Sequence, residues 1–278
     1  MRDYKIKLIA LDLDQTALRT DKSLSGRNRK ALLSAIEAGI HVVIASGRSF
    51  GSLPSQVLEI PGIEYAVTSN GSAIYRLPEG ERCHEFLMEP QTVDRLLERI
   101  PQELALEAFW QGRAYASRAY VEDPVRFGAV QRAVSYIQST RTPMEDIRQF
   151  ITAHRDELDS IQVVAGESGC RDKLWKELEE SVPGLYLTSS APSLLELSQT
   201  AGGKKCGLAW LGDKLGILPE EMMAFGDALN DMDMIRYAGV GVAMGNGHPS
   251  LKEAADRVAL TNDEDGVAAV IEEYLKNC

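Results

Sequence analysis

The chain has 278 residues, 44% hydrophobic and 26% charged, which is ordinary for a soluble globular protein and long enough for two domains. Its formal charge of −11 argues against a nucleic-acid partner, because an acidic surface repels phosphate backbones unless a basic patch intervenes. The longest basic run, Arg27-Asn28-Arg29-Lys30, reads as the solvated first turns of a helix.

The first strand is expected over Ile6 to Leu13, where only Lys7 and Asp12 are polar; such a run is buried on both faces. It ends in Asp12-Leu13-Asp14-Gln15-Thr16, two carboxylates one residue apart and a hydroxyl two residues on. Acids where a buried strand ends need partners, because an unpaired carboxylate in an apolar setting is costly. Ser25 is the N-cap of a helix through Ala38, stopped by Gly39. A strand over His41–Ala45 leads into Ser46-Gly47-Arg48, then a helix near Phe50–Leu58 and a strand at Tyr65–Thr68. Asn70-Gly71 follows, the strongest short hairpin signal.

From about Leu87 to Ser189 the rhythm changes. Ala105–Trp110 and Ala114–Ser117 flank a turn at Gln111-Gly112-Arg113, Ser160–Ala165 is a strand and Asp172–Glu180 a helix, with further strands at Leu185–Leu187 and Leu194–Leu197. Trp110 and Tyr115 are better read as core than as ligand contacts. The first rhythm resumes with a helix Lys204–Leu215, strand Met222–Phe225, helix Asn230–Tyr237, strand Val240–Ala243, helix Pro249–Ala255, short strand Arg257–Leu260 and helix Val267–Leu275. Alternating β and α elements predict a Rossmann-like α/β core with a parallel sheet, residues 1–86 and 190–278. Residues 87–189 would form a smaller inserted α+β domain, hinged near Glu85–Pro90 and Ser189–Pro192.

In an open parallel sheet, ligands bind beyond the carboxyl ends of the strands. That rule gathers Asp12, Asp14, Thr16, Ser46, Lys204, Asp227, Asn230 and Asp231 onto one edge. Two carboxylates ~4 Å apart repel by roughly 4 kcal/mol near a protein surface, so a phosphate could approach them only with a counter-charge. A hard divalent cation with oxygen ligands supplies one, and Lys204 a second. A lysine opening a helix is unfavourable alone and sensible beside a bound phosphate. The His residues lack zinc-ligand spacing, and no GxGxxG, GxxxxGK[ST] or GxSxG is present.

These residues resemble the haloacid dehalogenase-like (HAD) hydrolases, and within them the Cof-type phosphatases with a type-2 α/β cap. Asp12-Leu13-Asp14-Gln15-Thr16 is similar to motif I, Ser46-Gly47-Arg48 to motif II, Lys204 to motif III, and Gly226-Asp227 through Asn230-Asp231 to motif IV. The likeness runs in order over the whole core. It implies an aspartyl-phosphate on Asp12 and acid–base duty for Asp14. It implies phosphate binding by Thr16, Ser46, Gly47, Lys204 and Asn230, and Mg²⁺ held by Asp12, Asp14 (backbone carbonyl) and Asp227, with Asp231 orienting metal-bound water. The inserted domain would be a lid that selects a small phosphorylated metabolite, a sugar phosphate first. Gln15 and Ala17 replace the usual Gly and Leu, and Lys205 follows Lys204 where a small residue is usual; register favours Lys204. A mutase of the same superfamily, or a phosphometabolite sensor without turnover, fits the same residues.

No apolar run is long enough to span a bilayer, and the first residues carry no signal-peptide pattern. Cys83, Cys170, Cys206 and Cys278 have no metal or redox spacing, so free thiols in a reducing cytoplasm are expected, in a monomer or weak homodimer.

Overall fold

A computed structural model describes residues 5–166 and 168–277; Cys278, one of the four thiols, lies outside that range. Five strands come first: β1 (Leu8–Leu11), β2 (His41–Ala45), β3 (Ile63–Thr68), β4 (Ala73–Arg76) and β5 (Glu81–Glu85). Six follow: β6 (Ala105–Trp110), β7 (Arg113–Ser117), β8 (Arg141–Met144), β9 (Leu158–Val164), β10 (Leu185–Thr188) and β11 (Leu194–Gln199). Three more complete the set: β12 (Met222–Gly226), β13 (Val240–Ala243) and β14 (Arg257–Val258). They form two sheets, and the chain divides into two compact units around them.

The first unit comprises residues 5–47, 53–84 and 203–277. Its sheet runs β14-β13-β12-β1-β2-β3-β4-β5, parallel from β14 to β3, and β4 returns antiparallel to β3. The central strand β1 is fully buried, as its apolar run requires. Leu11 lies opposite both Phe225 and Ile44, and Ala45 opposite Val67. Four neighbouring strands therefore stop at one level, and Asp12, Ser46, Ser69 and Asp227 stand just past their ends.

The second unit comprises Arg48–Ser52 and Glu85–Gly202. Its sheet order is β10-β11-β9-β6-β7-β8, antiparallel except for β7 with β8. One face packs Leu106, Ala108, Ile161, Val163, Leu195 and Leu197 against helix residues such as Val93, Leu96 and Leu178. Trp110 and Tyr115 pack beside this core, stacking on or near Phe150. In the opposite register Glu107 pairs with Gln162, and Gln162 with Glu196, a row of buried polar side chains.

Three expectations need correction. The boundary at 189/190 falls inside the second sheet, because β11 pairs with both β10 and β9; Ser189–Pro192 is the turn between β10 and β11, and the return connection lies near Gly202. The helix expected over Phe50–Leu58 is broken at Leu53-Pro54 into a turn, Phe50–Ser52, and a four-residue helix, Ser55–Leu58. Proline removes an amide donor and disfavours helix in the residue before it. The first strand is also shorter than its apolar run. Past Leu11 the chain coils through one wide turn, Leu13–Ala17, in which Asp14 is extended and Gln15 left-handed.

Candidate active site

That wide turn sets a cost on the unusual residue in it. Gln15 has φ +61°, a conformation that costs an L side chain about 1–2 kcal/mol and glycine nothing. Its carbonyl accepts a hydrogen bond from Asn246 Nδ2 at 2.8 Å, which helps hold the turn despite the substitution.

Lys204 is the centre of the site. It is fully buried at the first turn of the Lys204–Leu215 helix. Its Nζ donates to Asp12 Oδ1 at 2.7 Å and to Asp231 Oδ1 at 2.6 Å. Burial opposes its charge, but the two carboxylates outweigh that and hold it charged, above the ordinary lysine range. Lys205, about 100° further round the helix, is elsewhere: its amide donates to Asp233 Oδ2 and its ammonium lies over the Tyr237 ring. Of the two lysines, Lys204 is the one inside the cluster.

The acids differ in their commitments. Asp231 uses both oxygens, Oδ1 on Lys204 and Oδ2 on the amides of Asp227 (2.9 Å) and Ala228 (3.0 Å). It shapes the turn after β12 while it holds the lysine. Asp12 and Asp227 each place only Oδ1 in a bond within the site, to Lys204 and to the Thr16 hydroxyl (3.2 Å). Asp12 is pushed up to about 7, by burial first and then by Asp231 and Asp14, with Lys204 opposing them. Asp227 is held well above the usual carboxylate range, by burial first and then by Asp12 and Asp231.

Carboxylate oxygens of Asp12, Asp227 and Asp231 lie within 4.8 Å of one another. Three acids against one ammonium leave excess negative charge, and an all-oxygen donor set suits a hard divalent cation. Because Asp231 has no oxygen to spare, Asp12 and Asp227 are the side chains that fit as ligands.

The remaining expected residues stand as follows. Ser46 is buried beyond β2, with its amide on the Val67 carbonyl at 2.9 Å. Gly47 has no room for a side chain, since a Cβ would lie 2.9 Å from Asn70 Oδ1. Asn230 is buried and donates from Nδ2 to Asn70 Oδ1 at 2.9 Å. Asp14 is half-buried, and its Oδ1 meets Lys22 Nζ at 2.6 Å.

Lys22 was not singled out by any motif or periodicity. It sits in a left-handed turn conformation, φ +70°, clamped by Gln56: Nε2 donates to the Lys22 carbonyl and Oε1 accepts from the Leu24 amide. The one available signal was the turn-forming Thr20-Asp21-Lys22-Ser23 stretch, which says nothing about where the ammonium goes.

A family of haloacid dehalogenase-like hydrolases matches residues 9–271 of this chain. The phosphatase YwpJ of Bacillus subtilis (strain 168) is 32% identical, the match covering 97% of this chain and 100% of that protein. YcsE of the same organism, named a 5-amino-6-(5-phospho-D-ribitylamino)uracil phosphatase, is 30% identical over 98% of this chain and 97% of its own. A solved haloacid dehalogenase-like hydrolase from B. subtilis superposes with a TM-score of 0.82 at 31% identity, covering 96% of this chain and 99% of that one.

Proposed function

The chain belongs to the haloacid dehalogenase-like hydrolases and is a phosphatase of phosphoric monoesters; from that premise we propose that it is a magnesium-dependent hydrolase of a small phosphorylated polyol or sugar, acting through an aspartyl-phosphate on Asp12. The observation that carries this reading is the buried Lys204 shared between Asp12 and Asp231, with Asp227 alongside. A purely structural role would need only one acid for one lysine.

In this mechanism Asp12 attacks phosphorus as the bond to the leaving alcohol breaks, and Asp14 gives that alcohol its proton. Water then attacks the same phosphorus and yields its proton to Asp14; the Asp12–phosphorus bond breaks and inorganic phosphate leaves. Lys204, the hydroxyls of Thr16 and Ser46, the Gly47 amide and Asn230 grip the phosphoryl oxygens. Asp12, Asp227 and the Asp14 carbonyl would hold Mg²⁺; Asp231, with both oxygens engaged, would fix Lys204 and the Asp227 backbone rather than orient a water. The bound cation supplies the positive charge that lets a carboxylate meet a phosphate dianion.

The polyol assignment draws on the ribityl phosphate in the name of the relative YcsE. We assign selection of the leaving alcohol to the second unit, the inserted domain. Among the described residues no helix is long and apolar enough to cross a membrane, and the cysteines Cys83, Cys170 and Cys206 are free. We place the protein in the cytoplasm as a monomer or weak homodimer.

The test is phosphate release from an aryl phosphate and a panel of sugar and polyol phosphates, with Mg²⁺ and with excess chelator, plus acid-quenched trapping of phosphate on the peptide that holds Asp12. Full activity in chelator, or label on another residue, would refute the reading.

A further inference from the structure

The turn after β3 joins the antiparallel pair β3 and β4 through an unusual backbone. Ser69, Asn70 and Gly71 are left-handed in succession, with φ of +50°, +55° and +106°. Residues with a Cβ rarely adopt that conformation, and a run of it persists only where the surroundings hold it. An Asn-Gly pair alone can close two antiparallel strands. Here the register Thr68 with Ala73 leaves four residues between the strands.

The turn does touch three groups of the proposed phosphate site. The Asn70 amide donates to the Ser46 carbonyl at 3.1 Å. Its side-chain Oδ1 accepts from Asn230 Nδ2 at 2.9 Å, and both side chains are buried. Gly71 lies against Gly203, the residue before Lys204, so closely that a Cβ would fall 2.0 Å from the Gly203 carbonyl oxygen.

We infer that Asn70 is a positioning residue for phosphate binding: by accepting one Nδ2 hydrogen of Asn230, it fixes which way that amide points. An asparagine amide can present either its oxygen or its nitrogen to a neighbour. A phosphate needs the nitrogen side, and an amide turned the other way would offer it a repelling oxygen. With one hydrogen held by Asn70, the nitrogen is tied to one side and its second hydrogen remains for an anion. Buried as the pair is, water is a poor substitute for the missing acceptor. The inference rests on the phosphatase reading only in taking Asn230 as a phosphate ligand.

The test is a double-substitution cycle on the whole chain: Asn70→Gly, Asn230→Ala and both together, in buffer with Mg²⁺. Glycine keeps the left-handed backbone and removes the side chain with its acceptor, so folding is retained where Asn70→Ala could fail; melting temperature checks this. The readouts are kcat and KM for an aryl phosphate, inhibition by inorganic phosphate, and the rise in melting temperature with inorganic phosphate. For Asn70→Gly we expect KM and the phosphate inhibition constant to rise about tenfold with a smaller change in kcat, and to rise less than about twofold further when Asn230→Ala is already present. Equal effects in both backgrounds would overturn the inference, because Asn70 would then act independently of Asn230. A lower melting temperature with unchanged phosphate inhibition would also overturn it, leaving Asn70 a turn residue. If the parent releases no phosphate yet is stabilised by inorganic phosphate, and Asn70→Gly weakens that, the phosphatase reading falls and the Asn70–Asn230 assignment stands.

Discussion

The two units both bury charge, on opposite principles. In the first, three carboxylates surround one lysine, and Asp12 and Asp227 sit above their usual protonation range because burial and neighbouring acids outweigh the shared ammonium. In the second, Glu107 faces Arg141 one to one, with contacts of 3.0 and 3.2 Å, and Arg141 also donates to Thr140 and lies over the rings of Tyr136 and Phe109. Burial opposes the Arg141 charge, but Glu107 keeps the guanidinium charged. The balanced pair is complete in itself. The unbalanced cluster leaves negative charge over and suits an outside cation, so the excess of buried acid marks the candidate chemical site off from the structural pair.

The hardest test of this contrast is Asp12→Asn. Turnover should fall by about a thousandfold or more, because the amide is a poor nucleophile of similar shape, while the fold survives. Melting temperature and kcat measured on one sample check both halves; turnover within about tenfold of the parent would end the nucleophile assignment. Arg141→Met should do the reverse. Leaving Glu107 buried and alone should cost about 3–5 kcal/mol of stability in denaturant titration, with activity per folded molecule largely kept. A large loss of kcat without loss of stability would move Arg141 into the chemistry and break the comparison.

Charge excess also predicts a pH dependence. The Asp12 carboxyl is raised from 3.8 to about 7 in the fold, so the folded state binds that proton more tightly than the unfolded chain. In chelator, this contribution to stability is full below the unfolded value and is lost as pH rises through about 7. Asp227 is displaced in the same direction. Mg²⁺ should therefore raise the melting temperature more at pH ~8 than at pH ~5. A metal-free stability that climbs over this interval would show that the acids are not in excess.

The smallest effect concerns Lys22, whose side chain is 37% exposed and whose partner Asp14 is 34% exposed. Exposed pairs contribute little to stability, so Lys22→Met should leave melting almost unchanged. If the pair orients Asp14, turnover of an alkyl phosphate should slow by about three- to tenfold and that of an aryl phosphate less, because only the poorer leaving group depends on the proton. Equal rates for parent and variant on the alkyl substrate would make the pair a surface contact alone.

Much of the site was legible in advance. Strand ends are marked locally, by an apolar run that stops at an acid or hydroxyl, so Asp12, Ser46 and Asp227 could be placed on one edge from the alternation of elements alone. Segment boundaries were less legible. Leu194–Leu197 reads as a strand in either unit, and only the pairing of β11 with Gln162 and its neighbours on β9 assigns it to the second.

The sequence by itself determined the fold class and the order of the polar groups at the strand ends, because residue type and strand or helix period are local properties. The tertiary structure decided which groups meet. Register favours Lys204 over Lys205 without showing what either touches; the turn of one helix sends the first into the acids and the second toward Tyr237. Asn-Gly announces a turn, yet only the packing of β2 and the Lys204–Leu215 helix around it brings Asn70 onto Asn230. Lys22 reaches Asp14 through a backbone conformation that Gln56, far along the chain, holds in place. Such meetings depend on contacts between distant segments, and a directional hydrogen bond leaves no periodic trace in the residues that make it.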